Sequence, residues 1–240
     1  MTSPAIRSLT FDLDGTLLDT LPDLAAAANA MLAELGRPSL PLTTIASFIG
    51  HGTANLVARC LSDVQDVSGV DVTALADTQA IFRRHYTVEN GRRSQPFPGV
   101  MAALGQLAEA GLPLAVVTNK PAQFSEPLLA ATGLADFFRF VISGDTLAEK
   151  KPHPLPLLHA CQRFGVTPAE NLHIGDSRHD AAAARAAGCP VWLLPHGYNA
   201  GEPVRAADCD AIVAGFDEVA RRVLMAIPTA IPAVSPAPTF

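Results

Sequence analysis

Lysine is almost missing from this chain. Three occur in 240 residues, Lys120, Lys150 and Lys151, against fourteen arginines, and none precedes residue 120. With a net charge of −6, the chain offers no basic surface for nucleic acid or anionic lipid. An acidic protein that binds an anionic substrate needs a local cation, so the places where lysine was kept are informative. Aromatics are scarce at 6%, which makes the interior aliphatic, built on Ala, Leu and Val. The four cysteines, Cys60, Cys161, Cys189 and Cys209, form no CxxC pair. A chain of this size has no need of disulfides, and they read as small reduced apolar residues. Seven histidines show no HxxxH or HExxH spacing, so they read as surface or packing residues rather than zinc ligands. No stretch approaches the ~20 apolar residues of a membrane span. The segment MTSPAIRSLTFDLDG lacks the apolar region and small-residue cleavage site of a signal peptide. The expectation is a cytoplasmic protein without membrane or nucleic-acid partners, monomeric or homodimeric.

What is present is a hydrophobic fraction of 49% over a chain long enough for a full core. Short aliphatic runs end abruptly in Asp, Gly, Thr or Asn: Ile6–Phe11, Leu112–Val117, Phe140–Ile142, Leu172–Ile174, Val191–Leu194 and Ala211–Val213. Their length and richness in Val, Ile and Leu predict strands buried on both faces. From residue 99 onward they alternate with helical patterns at Val100–Glu109, Ala122–Thr132, Leu155–Phe164 and Ala181–Ala187. Gly111, Gly133, Gly165 and Gly188 follow those helices, where a C-terminal cap favours positive φ. Such alternation predicts an α/β fold, a Rossmann-like parallel sheet covered on both faces, with the chemistry at the carboxyl ends of the strands.

Residues 18–90 break the rhythm and read as helices only: Asp23–Leu35, Thr43–Phe48, Ala54–Leu61 and Val72–His85. A helical insertion after the first strand predicts a cap over the sheet edge. Gly91–Gly99 reads as the return hinge, and Thr20, Pro22 and Asp23 as the start of the first cap helix. The division is therefore a core of 1–17 and 91–226, a cap of 18–90, and a Pro-rich tail of 227–240.

The strand ends carry the chemistry. The first gives Asp12-Leu13-Asp14-Gly15-Thr16, and residues two apart on a strand point the same way, so both carboxylates reach one site. Gly15 lets the backbone turn close to a ligand with its N–H inward. Thr118-Asn119 ends another strand with a hydroxyl and free backbone N–H groups, a receptor for phosphate oxygens. Lys150-Lys151-Pro152-His153-Pro154 opens a helix, and Gly175-Asp176-Ser177-Arg178-His179-Asp180 places two more carboxylates after a strand.

Together these motifs resemble the haloacid dehalogenase-like superfamily over almost the whole chain. Asp12-Leu-Asp-Gly-Thr matches its first motif, Thr118 its second, Lys151 its third, and Gly175-Asp-Ser with Asp180 its fourth. Within it, the Lys-Pro-His-Pro run and His196-Gly-Tyr-Asn-Ala-Gly-Glu-Pro are similar to bacterial phosphoglycolate phosphatases. The resemblance implies hydrolysis of a small phosphomonoester, 2-phosphoglycolate first, with a sugar phosphate, N-acetylmuramic acid 6-phosphate, a nucleotide or pyrophosphate as alternative substrates and a non-catalytic binding protein as the remaining reading. Asp12 would be the nucleophile and Asp14 the general acid and base. It implies Mg²⁺ held by Asp12, the Asp14 backbone carbonyl and Asp176, with Asp180 orienting Lys151 or a metal-bound water. Gly15, Thr118, Asn119 and Lys151 would bind the phosphoryl oxygens. Asp14 speaks against the dehalogenases of this fold, and a cap without lysine against phosphonate cleavage by a Schiff base. The substrate's far end would be met by Arg59, Arg83, Arg84 or the His51–Thr53 loop.

Overall fold

The computed structural model describes residues 5–50, 52–62 and 75–227. Six strands, β1 (Ser8–Phe11), β4 (Leu114–Val117), β5 (Val141–Ile142), β6 (Asn171–Gly175), β7 (Val191–Leu193) and β8 (Ala211–Ile212), form one sheet in the order β5-β4-β1-β6-β7-β8. Every pairing in it is parallel. The first strand of the chain therefore lies at the centre, with Leu9 opposite Leu114 on one side and Leu172 on the other. The α/β architecture agrees with the alternation read from the sequence.

Alternation along β1 sends Leu9 and Phe11 to one face of the sheet and Ser8 and Thr10 to the other. Leu9, Phe11 and the following Leu13 pack with α5 (Val100–Glu109) and α9 (Phe216–Ala226). The other face carries Val117 and Ile142 under α7 (Leu155–Phe164) and α8 (Arg178–Ala187). The glycines after α5, α6 (Ala122–Ala131), α7 and α8 all take positive φ, between 69° and 81°, so the helices stop where the sequence placed their caps. No element was expected over 216–226. The helix there buries Phe216, Val219, Ala220 and Val223 along one stripe, a spacing the sequence does contain.

Among the described residues, four α-helices follow the first strand: α1 (Leu21–Glu34), α2 (Leu42–Phe48), α3 (Thr53–Ser62) and α4 (Ala76–Glu89). Ala25, Ala27 and Ala28 of α1 are too small to hold neighbours off, so Met31 and Leu32 pack close to Phe82 and Tyr86 of α4. Phe124 of α6 joins this cluster, its ring 4.7 Å from that of Tyr86.

The all-helical reading of 18–90 needs one correction. Leu18–Asp19 (β2) pairs antiparallel with Gln95–Pro96 (β3), inside the stretch read as a bare hinge. Two-residue strands are too short to show a period, and a proline at a sheet edge hides the second. Asp23 binds the same crossing. Fully buried, it accepts hydrogen bonds from the N–H groups of Gly91, Arg93 and Ser94 and from the Ser94 hydroxyl. The segment leaving the sheet and the one returning to it are thus fastened together. Among the described residues no helix is long and apolar enough to cross a membrane. The tail from 228 onward and His51 lie outside the described residues.

Candidate active site

At the carboxyl ends of β1, β4 and β6 the structure brings together Asp12, Asp14, Thr118, Asn119, Lys151, Asp176 and Asp180. The half-buried Asp12 carboxylate accepts through Oδ1 from the Leu13 N–H at 2.7 Å and lies 2.9 Å from Lys151 Nζ. Lys151 is buried and also bonds Asp180 Oδ1 at 2.6 Å, so one ammonium bridges two carboxylates. Burial alone would lower its pKa; Asp12 and Asp180 outweigh that and hold it raised. Burial opposes the charge on Asp180 as well, but Lys151 and the His173 ring overcome it and keep the carboxyl well below the usual range.

Asp12 and Asp176 are in the opposite position. Burial pushes Asp12 up to about 6, Lys151 resists, and Asp180 and Asp14 add to the rise. Asp176 goes up to about 8, through burial and then the charges of Asp180 and Asp12. Its oxygens receive the Thr16 hydroxyl at 2.7 Å and the Tyr198 N–H at 2.8 Å, both uncharged donors. Carboxylate oxygens of Asp12, Asp176 and Asp180 lie within 4.8 Å of one another. A hard divalent cation fits this oxygen-only set and would neutralise the crowded charge. Asp180 is the least available of the three. Four donors already occupy it: Lys151, His173, and the Ser177 N–H and hydroxyl. With Ser177 it also forms the reciprocal cap that starts α8, so orienting Lys151 and capping a helix coexist in one residue.

The phosphate-binding candidates divide. Thr118 accepts from the Lys120 N–H at 3.2 Å, which leaves its own proton for a ligand. Asn119 donates through Nδ2 to the carbonyls of Lys151 at 2.9 Å and Gly50 at 3.3 Å, tying the third motif and the helical layer to β4; its Oδ1 is buried without a partner. Gly15 does a different job from the one expected. Its N–H is spent on the Leu18 carbonyl at 2.9 Å, so it does not face a ligand. What requires glycine is a φ of 85° and a Cβ position only 2.7 Å from Asp176 Oδ2.

Two residues not chosen from the sequence belong here. Lys120 is buried, with Nζ 2.9 Å from Asp14 Oδ1 and 2.5 Å from the Tyr86 hydroxyl. Burial works against its charge, and Asp14 and Tyr86 more than compensate. The scarcity of lysine was the one signal pointing to it. Tyr198, in the His196–Pro203 stretch, joins Asp176 to the helical layer. Its N–H holds Asp176, while its hydroxyl donates to Asp19 and accepts from the Thr20 and Leu21 N–H groups at 2.8 and 2.9 Å. The start of α1 is therefore capped by Tyr198 and Asp19 rather than by Thr20, whose buried hydroxyl has no partner among the described residues.

A cavity of about 50 Å³ opens above these groups, with Asp12, Asp14 and Thr118 at its floor and Lys120 and Tyr86 in its wall. The helical layer lines it with Leu24, Ile49, Gly50, Gly52, Thr53 and Leu56. Of the arginines considered for the far end of a substrate, Arg59 is buried and bonds the Phe48 carbonyl, and Arg84 is exposed on Glu34. Arg83 lines an outer recess with Lys150.

Residues 9–194 match the family of haloacid dehalogenase-like hydrolases. The chain belongs to that family. It is 50% identical over 221 residues to a phosphoglycolate phosphatase of Thiobacillus denitrificans, covering 92% of this chain and 97% of that one. A phosphoglycolate phosphatase of Nitrosospira multiformis is 48% identical over 91% of this chain and 96% of its own. In three dimensions this hydrolase resembles the crystal structure of a predicted phosphoglycolate phosphatase from Haemophilus somnus. There the TM-score is 0.81 and the identity 34%, over 92% of this chain and 99% of the other.

Proposed function

We propose that this hydrolase is a Mg²⁺-dependent phosphomonoesterase that converts 2-phosphoglycolate and water to glycolate and phosphate. The observation that carries the reading is the cavity at the strand ends, which Asp12, Asp14, Thr118 and Lys120 line together. Full-length relatives named for phosphoglycolate support the same substrate.

Asp12 attacks phosphorus and the bond to the glycolate oxygen breaks, leaving an aspartyl-phosphate. Since Oδ1 is held by Leu13 and Lys151, the attacking atom is Oδ2. Asp14 gives its proton to the departing alkoxide, then takes one from the water that attacks the aspartyl-phosphate; the Asp12–phosphorus bond breaks and phosphate leaves. Lys151, the Thr118 hydroxyl and the Asn119 N–H meet the phosphoryl oxygens. Bound Mg²⁺, held by Asp12, Asp176 and the Asp14 carbonyl, would supply positive charge to the phosphoryl group. Lys120 is the cation placed to receive the substrate carboxylate. Residues 1–17 and 91–226 then serve as the catalytic core, and 18–90 as a cap that closes over small substrates.

Phosphate release from a panel of phosphomonoesters, with and without Mg²⁺, tests this. Phosphoglycolate should exceed sugar phosphates and nucleotides by at least ~100-fold in kcat/KM, about 2.7 kcal/mol of discrimination. A flat profile sinks the substrate assignment.

The metal has its own signature. In the folded, cation-free protein Asp176 holds its proton up to about pH 8, while the unfolded chain releases it near 4. Stability from this group therefore falls as pH rises between those values, and a cation that replaces the proton relieves the loss. Mg²⁺ should raise the melting temperature more at pH 8 than at pH 5, and Asp176→Asn should remove the difference. An equal rise at both pH values would count against Asp176 as a ligand.

A further inference from the structure

The middle of a parallel sheet covered on both faces is normally apolar. In the central pair of this one, Ser8 and Thr10 of β1 and Asn171 and His173 of β6 are all fully buried. Ser8 is the register partner of Asn171, and Thr10 of His173. The strand period of two puts Ser8 and Thr10 on the same face as Asp12. These side chains form one continuous hydrogen-bonded line. Ser8 Oγ donates to Asn171 Oδ1 at 2.8 Å, and Asn171 Nδ2 donates to Thr10 Oγ1 at 3.0 Å. Thr10 Oγ1 meets His173 Nδ1 at 3.0 Å, and His173 Nε2 meets Asp180 Oδ1 at 3.0 Å. Lys151 shares that same Asp180 oxygen and continues to Asp12.

The direction of every bond follows from its neighbours. Asp180 is held ionised by Lys151 and can only accept, so His173 carries its proton on Nε2. Nδ1 is then an acceptor, and the Thr10 hydroxyl, already accepting from Asn171, turns its proton toward it. The tautomer is assigned by this chain of donors. Four buried polar groups with each partner supplied are consistent with packing alone. Their termination on the carboxylate that carries Lys151 is what packing does not require. Ser177 satisfies Asp180 Oδ2 without help from the sheet, so the line from β1 acts on Oδ1, the oxygen that aims the lysine.

We propose that Thr10 and His173 are positioning residues for the phosphatase reaction: Thr10 fixes the tautomer of His173, whose Nε2–H holds Asp180 so that Lys151 stands over Asp12. The proposal rests on the reaction argued above. Outer partners of this kind are commonly worth 10–100-fold. His173→Leu removes the donor at similar volume and should lower kcat by that factor with KM nearly unchanged. His173→Gln returns an N–H near the Nε2 position and should recover most of it. Thr10→Val keeps the shape but frees Nδ1 to take the proton, which turns a lone pair toward Asp180; kcat should fall here as well. Imidazole ¹⁵N shifts supply a readout independent of turnover. His173 should be the Nε2–H tautomer in the wild-type protein and lose that preference in Thr10→Val. Wild-type protein that hydrolyses no phosphomonoester would fail the reaction and leave the tautomer shift as the test of the line. The proposal is overturned if folded Thr10→Val keeps both the wild-type kcat and the wild-type tautomer. It is equally overturned if His173→Gln recovers nothing over His173→Leu. Should His173→Leu not fold, Thr10→Val and His173→Gln decide the matter.

Discussion

Asp12→Asn should abolish turnover, with kcat down by ~10⁴ or more, in a protein whose melting temperature is unchanged or higher. Losses of this order accompany removal of a nucleophile that acts as part of a unit. The fold survives because Asn keeps the oxygen that accepts from Leu13 and Lys151, and Lys151 keeps Asp180. Stability holds or rises because the native carboxylate is crowded by Asp180 and Asp14 and raised by burial, and a neutral amide removes that repulsion. Steady-state phosphate release, together with mass spectrometry of acid-quenched protein for the phosphorylated aspartate, checks both halves. Turnover at even a tenth of the wild-type rate would rule out a covalent step on Asp12.

Gly197→Ala should be nearly as damaging, although residue 197 touches no substrate. A methyl group there would lie 2.2 Å from both Cβ and Oδ2 of Asp176, a separation that side chains do not tolerate. The loop cannot simply retreat. On one side His196 lies against Phe97 with ring centroids 4.2 Å apart, and on the other Tyr198 is held by Asp176, Asp19, Thr20 and Leu21. Asp176 must therefore move, and a displacement of ~1 Å in a catalytic group costs about 10²-fold. We expect kcat to fall ~10²-fold and the Mg²⁺ concentration for half-maximal activity to rise ~10- to 100-fold, in a protein that remains folded by circular dichroism. Unaltered metal dependence would show that Asp176 does not need its present place.

Most of the site was legible because the last apolar residue of β1, β4 and β6 (Phe11, Val117 and Ile174) is followed at once by polar residues or glycine, marking their carboxyl ends. Asp12, Asp14, Thr118, Asn119 and Asp176 are found there, and all except Asp176 line the cavity. Elements with a clear period or a glycine cap were equally plain. What was hidden depends on pairings across long stretches of chain. Tyr198 caps a helix that starts 177 residues earlier, and nothing local in His-Gly-Tyr-Asn announces it. His173 sits in an apolar-looking strand among seven histidines without a ligand spacing, so packing was the natural reading; its burial was anticipated and its partners were not. Lys120 follows Thr118-Asn119 directly, yet whether it turned inward depended on Asp14 and Tyr86, brought there by two other elements. Gly15 makes the close turn expected of it, but its N–H is consumed by that turn instead of facing inward.

The central position of β1 also sets a timetable. Its hydrogen-bonding partner β6 is translated much later, with 163 residues separating Ser8 from Asn171. At about 5–20 residues per second, the strand bearing Asp12 waits roughly 8–30 s on the ribosome before Asn171, His173 and Asp176 emerge. Over the same interval α1–α4 are complete and can bury their own cluster first. A nascent or truncated chain ending before residue 171 has Asp12 but an open sheet edge beside it and no Asp176. Such a fragment should be inactive, and it exposes a strand with unpaired backbone groups, a template for association. Docking of β6 covers that edge of β1 and brings Asp176 to Asp12, and β7 then covers β6 in turn.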